Sequence, residues 1–225
     1  HGMKAVDHAM SVASSIDSMI IGEREIITQV RQAYEHCASI GLTGDLLRII
    51  NRHVVETAKK VYTRTSISTK PVSVVSLAYH QLKRLQIPLD ARFLVIGAGV
   101  TNTTMGRFLK KHGFKNFAIF NRTLEKASTL ANELGGLAYP LQELHLYQGG
   151  FDVIISCTGA DHHVITPALY EQLLQGDQRP KTVIDIAIPQ DLDPEIIAKH
   201  PVKHISVSLL QQISHENLQE RSKEL

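Results

Sequence analysis

The residues whose types and spacing specify chemistry lie between positions 92 and 123. Arg92-Phe93-Leu94-Val95-Ile96 is an apolar run, followed by Gly97-Ala98-Gly99-Val100-Thr101-Asn102 and a stretch of helical composition to His112. A second apolar run, Phe117-Ala118-Ile119-Phe120, ends in Asn121-Arg122-Thr123. Strand, glycine turn, helix and second strand make one βαβ unit, whose turn lets a pyrophosphate approach the backbone and rest on the helix N-terminus. The residue closing the second strand, 24 positions after Gly97, reads the adenosine ribose. A carboxylate there accepts from a free 2′-hydroxyl, whereas Asn121 followed by Arg122 suits a 2′-phosphate. The spacing predicts NADPH. One position departs from the fingerprint: Asn102 stands where a third glycine usually packs helix against strand.

Three further groups weigh less. Cys157-Thr158-Gly159-Ala160 follows an apolar run at the end where open α/β sheets bind ligands, and a glycine there admits the nicotinamide half. Asp185-Ile186-Ala187-Ile188-Pro189-Gln190-Asp191 ends another run in a proline-fixed loop, with Asp191 and Asp193 expected to cap a helix beginning at Pro194. Cys37 and Cys157 read as small core residues without a neighbouring base, so the residues themselves offer no nucleophile. None of the twelve histidines belongs to a His-x-x-x-His pair on a helix with a carboxylate, and no metal site is expected. On spacing alone, His8 belongs to the polar edge of its helix.

Those groups need elements to hold them. Ahead of the first strand the chain reads as helices: one around Val6, Ala9, Met10 and Ala13, one over Glu25–Ser39, one over Leu46–Val61 and one over Val72–Leu85. After it, β and α alternate: a helix over Leu124–Leu134, strands over Phe151–Ser156 and Thr182–Ala187, a helix over Leu169–Gln175 and a short strand at His204–Val207. At 225 residues, 43% hydrophobic and 20% charged, the composition is that of a globular protein, with no apolar run long enough to span a membrane. Two cysteines are too few for a disulfide framework and fit a reducing cytoplasm. The net charge of +2 is uneven, with 11 basic and 7 acidic groups in residues 1–88, which alone decides nothing.

Two stretches together resemble glutamyl-tRNA reductases. His8-Ala9-Met10-Ser11-Val12-Ala13-Ser14-Ser15-Ile16-Asp17-Ser18-Met19-Ile20-Ile21-Gly22-Glu23-Arg24-Glu25-Ile26, continuing to Gln29 and Tyr34, is similar to that family's signature. Gly97 to Asn102 with Asn121-Arg122-Thr123, Thr158-Gly159-Ala160 and Asp185 to Pro189 is similar to its NADPH domain. The resemblance covers essentially the whole chain in order. It implies reduction of glutamyl-tRNA to glutamate-1-semialdehyde with NADPH, the first step towards 5-aminolevulinate and tetrapyrroles. It implies His8 as the essential histidine, Ser18, Glu23, Arg24, Glu25 and Gln29 as substrate-binding, and Gly97 to Asn102, Asn121, Arg122, Thr123, Thr158, Gly159, Ile186 and Pro189 as cofactor-binding. Glutamyl-tRNA, a second copy of the full-length enzyme and the downstream aminomutase are the implied partners.

One departure stands out. The family's nucleophilic cysteine lies in a Ser-x-Cys-Asn-Arg-Thr-type motif, where a thioester forms that accepts hydride; nothing like it occurs here, and Asn121-Arg122-Thr123 follows a strand with Phe120 before it. The chain is therefore expected to be an internal fragment that binds NADPH without turnover. The expected fold is α/β: a Rossmann NADP-binding domain at 89–205, preceded by a mainly helical catalytic-domain segment at 1–70 and a connecting helix at 71–88, and followed at 206–225 by the start of a spinal helix. The rival readings are a shikimate-dehydrogenase-like oxidoreductase, which needs a Lys/Asp pair that the helical segment lacks, and a non-catalytic NADP-binding module.

Overall fold

The computed structural model describes residues 2–18, 21–23, 25–65 and 73–223, with side chains of the last helix as far as Glu216. The chain divides into two compact units, residues 1–73 with 211–225, and residues 74–210.

The first unit is helical: α1 (Met3–Ala13), α2 (Glu25–Ser39) and α3 (Asp45–Arg64). Its apolar centre is small. Ala13, Val54 and Ala58 are buried, with Ala9, Met10, Ile27, Val30, Ile50 and Tyr62 packed around them. Alanines on α1 and α3 allow the two backbones to approach closely. Ile40, Leu42, Leu46, Leu47 and Ile49, around the α2–α3 turn, remain exposed. After α1 the chain reverses through Ser15, which takes a left-handed φ of 56°, and Gly22 at 86°.

The second unit is the α/β domain anticipated from the sequence. Its elements are α4 (Val74–Arg84), β1 (Arg92–Ile96), α5 (Val100–Lys111), β2 (Asn116–Asn121), α6 (Leu124–Leu134), β3 (Leu137–Pro140), β4 (Val153–Ser156), α7 (Pro167–Leu174), β5 (Lys181–Asp185), α8 (Pro194–Lys199) and β6 (Val202–Ser206), leading into α9 (Val207–Lys223). The sheet is parallel throughout, in the order β3-β2-β1-β4-β5-β6. The chain steps outward from β1 to β2 and β3, then crosses back to β4 on the other side of β1, so a crevice opens beyond the C-terminal ends of β1 and β4. Helices cover both faces, which is why β1, β4 and β5 are buried along nearly their whole length rather than at alternate residues. Leu94, Ile96, Phe120, Ile154, Tyr170 and Val183 form the centre of one large core.

Two elements lacked a sequence signal. β3 is four residues ending in proline, too short for alternation to register, and its edge position tolerates the missing N–H. The 3-10 turn at Leu141–Leu146 that follows has no helical period of its own. At the opposite end of the strands Arg92 bonds Asp152, while Arg179 and the buried Lys181 bond Asp177. Arg92 holds the Asp152 carboxyl below its usual range, and Arg179 and Lys181 do the same to Asp177.

Candidate functional site

The glycine turn joins β1 to α5. Gly97 has φ +96°, and a Cβ there would stand 2.5 Å from the carbonyl oxygen of Cys157. Both facts require glycine. Gly99 caps α5 without a side-chain hydrogen bond, and the space where its Cβ would project is open. The N–H groups of Val100, Thr101 and Asn102 have no acceptor among the described residues, which leaves the positive end of the helix free for an anion.

Asn102 explains its own departure from the glycine pattern. Its side chain is buried, and Nδ2 donates to the carbonyls of Ile96 (2.8 Å) and Gly97 (2.9 Å), tying the helix to the end of β1. Close approach of α5 to its neighbour falls instead to Gly106, whose Cβ position lies 2.7 Å from Leu134 Cδ1. Asn102 Oδ1 is buried without a partner among the described residues, an unpaired acceptor within the turn. Asn121 braces the same turn: the Ala98 N–H donates to its Oδ1 at 3.0 Å, and its Nδ2 donates to the Thr123 carbonyl. Both ends of the Asn121 amide are engaged, while the next residue, Arg122, is exposed and has no ion pair among the described residues. Gly97 to Asn102 and Asn121 to Thr123 are thus tied together at the C-terminal ends of β1 and β2.

The far side of the crevice is built from the loops after β4 and β5. Thr158 is part-buried and Gly159 exposed; Ile186 is buried, and Pro189, in a cis peptide with Ile188, is exposed. Asp193 caps α8 through the Glu195 N–H, as expected. Asp191 does not cap. It is fully buried and accepts from Ser156 Oγ (2.6 Å), the Thr158 N–H (2.9 Å) and Thr158 Oγ1 (2.5 Å). Asp-Leu-Asp-Pro reads locally as a helix start, and no local signal separates the first aspartate from the second. Asp185 accepts from the N–H groups of Ala187 and Leu192, and burial pushes its carboxyl up.

In the helical unit His8 is largely exposed on α1, its Nδ1 3.5 Å from Asp17 Oδ2 and its Nε2 without a partner among the described residues. Ser15 organises the turn between them: its hydroxyl lies 2.6 Å from that of Ser18 and accepts from the Glu23 N–H at 2.9 Å. Tyr62 on α3 donates to the Glu23 carbonyl. Ser18 and Glu23 are thereby brought together through Ser15, a residue without a sequence signal because its role depends on a left-handed φ. Glu25 and Gln29 are exposed on the first turns of α2, and Arg24 lies outside the described residues.

Burial pushes the Cys157 thiol up, and Sγ lies 3.5 Å from the Ile186 carbonyl. No group of three or more metal-ligating side chains occurs among the described residues, and no helix among them is long and apolar enough to cross a membrane.

Comparison with known proteins bears on both units. The family model for the glutamyl-tRNAGlu reductase N-terminal domain matches residues 1–65, and that for shikimate / quinate 5-dehydrogenase matches residues 76–213. Glutamyl-tRNA reductase of Magnetococcus marinus is 39% identical over 221 residues, covering 97% of this chain and 52% of that protein. That of Carboxydothermus hydrogenoformans is 37% identical over 223 residues, covering 97% and 49%. The solved structure of glutamyl-tRNA reductase from Methanopyrus kandleri superposes with a TM-score of 0.60 at 35% identity, covering 100% of this chain and 57% of that one. The chain spans about half the length of the curated relatives it matches. Its two units follow one another as they do in those relatives, and the chain belongs to the glutamyl-tRNA reductase family, its second unit being a nicotinamide-nucleotide-binding domain of the shikimate / quinate 5-dehydrogenase family.

Proposed function

We propose that this chain serves the NADPH-dependent reduction of glutamyl-tRNA to glutamate-1-semialdehyde, the step that opens 5-aminolevulinate and tetrapyrrole synthesis. The observation that carries the reading is the succession, in one chain, of a helical unit of the reductase type and a nucleotide unit with an exposed Arg122 at the end of β2. Glutamyl-tRNA as substrate, a cytoplasmic setting, pairing of two full-length copies and delivery of the aldehyde to an aminomutase follow as parts of the same reading. A shikimate-type oxidoreductase would need a Lys/Asp pair in an α/β substrate domain, and the first unit is helical.

Bound NADPH supplies the hydride that reduces the acyl carbon. The chain's residues bind and orient. N–H groups of the first turn of α5 take the pyrophosphate, Arg122 the 2′-phosphate, and the loops carrying Thr158, Gly159, Ile186 and Pro189 the nicotinamide half. His8, with Asp17 at its Nδ1, keeps Nε2 for a proton, which the ribose oxygen of the departing tRNA must receive. Ser18, Glu23, Arg24, Glu25 and Gln29 offer groups of both signs, as an aminoacyl ester with a free ammonium and a carboxylate requires. Neither Cys157, shielded and raised by burial, nor Cys37, whose neighbour His36 lies one residue along α2 and so on a different helix face, suits acyl capture. The 225-residue polypeptide therefore binds NADPH without reducing glutamyl-tRNA, and turnover by it, abolished on replacing either cysteine, would refute this assignment.

The test of the cofactor reading is Arg122→Ala. Wild type should prefer NADPH to NADH, and the variant should lose about 1.5–3 kcal/mol for NADPH while NADH binding is unchanged. Equal loss for both cofactors, or no initial preference, removes Arg122 from the site.

A further inference from the structure

Two carboxylates, Asp185 and Asp191, are fully buried where β4 and β5 end, and they hold different things. Asp185 accepts backbone N–H groups of the segment that follows its own strand, Ala187 and Leu192. Asp191 reaches across to the other loop and takes Ser156 Oγ, Thr158 Oγ1 and the Thr158 N–H. The Thr158 hydroxyl in turn accepts from the Ala160 N–H at 3.2 Å. With that hydroxyl donating to Asp191 and accepting from Ala160, residues 158–160 are held in one arrangement. Gly159 stands at its apex, exposed, with open space at its Cβ position and with N–H and C=O unpartnered among the described residues. On the other side, the Cys157 carbonyl presses against Gly97 of the pyrophosphate turn. A single carboxylate thus sets the loop that spans from the pyrophosphate turn to the cis-proline loop.

We propose that Asp191 is a positioning residue for the nicotinamide half of the cofactor. It touches no part of NADPH; it holds Thr158 to Ala160 so that the Gly159 backbone meets the nicotinamide end. A buried carboxylate that donor groups from another loop surround is preorganised, and losing it leaves those donors unpaired beside the ligand. The proposal rests on the NADPH reading, and its test separates the two.

The experiment measures binding of NADPH and of 2′-phospho-ADP-ribose, which lacks the nicotinamide, to the 225-residue chain. Asp191→Asn puts an NH2 group either against both the Thr158 N–H and the Ser156 hydroxyl, which share Oδ2, or against the Thr158 hydroxyl, which donates to Oδ1. NADPH should then bind about tenfold more weakly, while 2′-phospho-ADP-ribose stays within about twofold. Thr158→Val, nearly isosteric and lacking the hydroxyl, should show the same selective loss, and it carries the test if Asp191→Asn fails to fold. Loss of both probes together in the folded Thr158→Val variant, or of neither in both variants, overturns the positioning role while the cofactor reading stands. Wild type that binds neither probe overturns the cofactor reading and the positioning role with it.

Discussion

In the nucleotide unit β1 buries four of its five residues, whereas in the helical unit the fifteen residues of α2 include none that is buried. The difference carries over to the sites. At the end of β1 the candidate ligand-binding groups are backbone N–H groups and glycines, placed by a sheet packed on both faces. In the helical unit they are side chains, His8, Ser18, Glu23, Glu25 and Gln29, on exposed or half-exposed positions around one reversed turn. Backbone sites inherit their precision from the core beneath them, while side-chain sites on a thin core depend on local braces such as Ser15 and Asp17. The candidate groups of the first unit are thus held by local braces and those of the second by the packed core beneath them.

The sharpest way to break that contrast is His8→Ala, in an enzyme that carries this chain at its relatives' full length. Reductase rate should fall about 10²–10⁴-fold with the melting temperature unchanged, because an exposed histidine contributes little to stability. Wild-type rate and stability in both His8→Ala and His8→Asn would return this position to an ordinary surface residue.

Core deletions probe the packing difference itself. Ile154→Ala, at a fully buried position of β4, should cost about 2–5 kcal/mol in denaturant unfolding. Leu47→Ala, half exposed on α3, should cost less than about 0.5 kcal/mol. Comparable losses would mean that the apolar rim of the helical unit is covered in solution.

The smallest effect concerns pH. Asp152 and Asp177 are held below the ordinary carboxylate range, so their contribution to stability is complete above the unfolded pKa of ~3.9 and is lost as pH falls through the folded values. Asp185, raised by burial, works in the opposite sense and is relieved by protonation. The melting temperature of the nucleotide unit should decline below about pH 4, and Asp177→Asn should flatten that decline. An unchanged acid limb in the variant would show that the charge network adds nothing.

The βαβ unit was legible because glycine spacing, continuous apolar runs and a residue pair at the end of the second strand are local signals, each with one structural outcome. α2 and α6 matched their sequence-based bounds for the same reason, their apolar periodicity being framed by Gly41 and Gly135. β3 escaped because a four-residue edge strand takes its conformation from its neighbour β2 rather than from its own composition.

The amino-acid sequence by itself determined the fold class, the place of the glycine turn between β1 and α5 and the family, since these depend on order and spacing along the chain. Tertiary structure alone decided what Asn102, Asn121 and Asp191 do. Each is a polar side chain whose partner lies on another element or at its end: Asn102 with the end of β1, Asn121 with the Ala98 N–H, Asp191 with Thr158. A buried hydrogen bond is specified by where two segments meet, and that meeting is set by the packing of the whole sheet rather than by either segment.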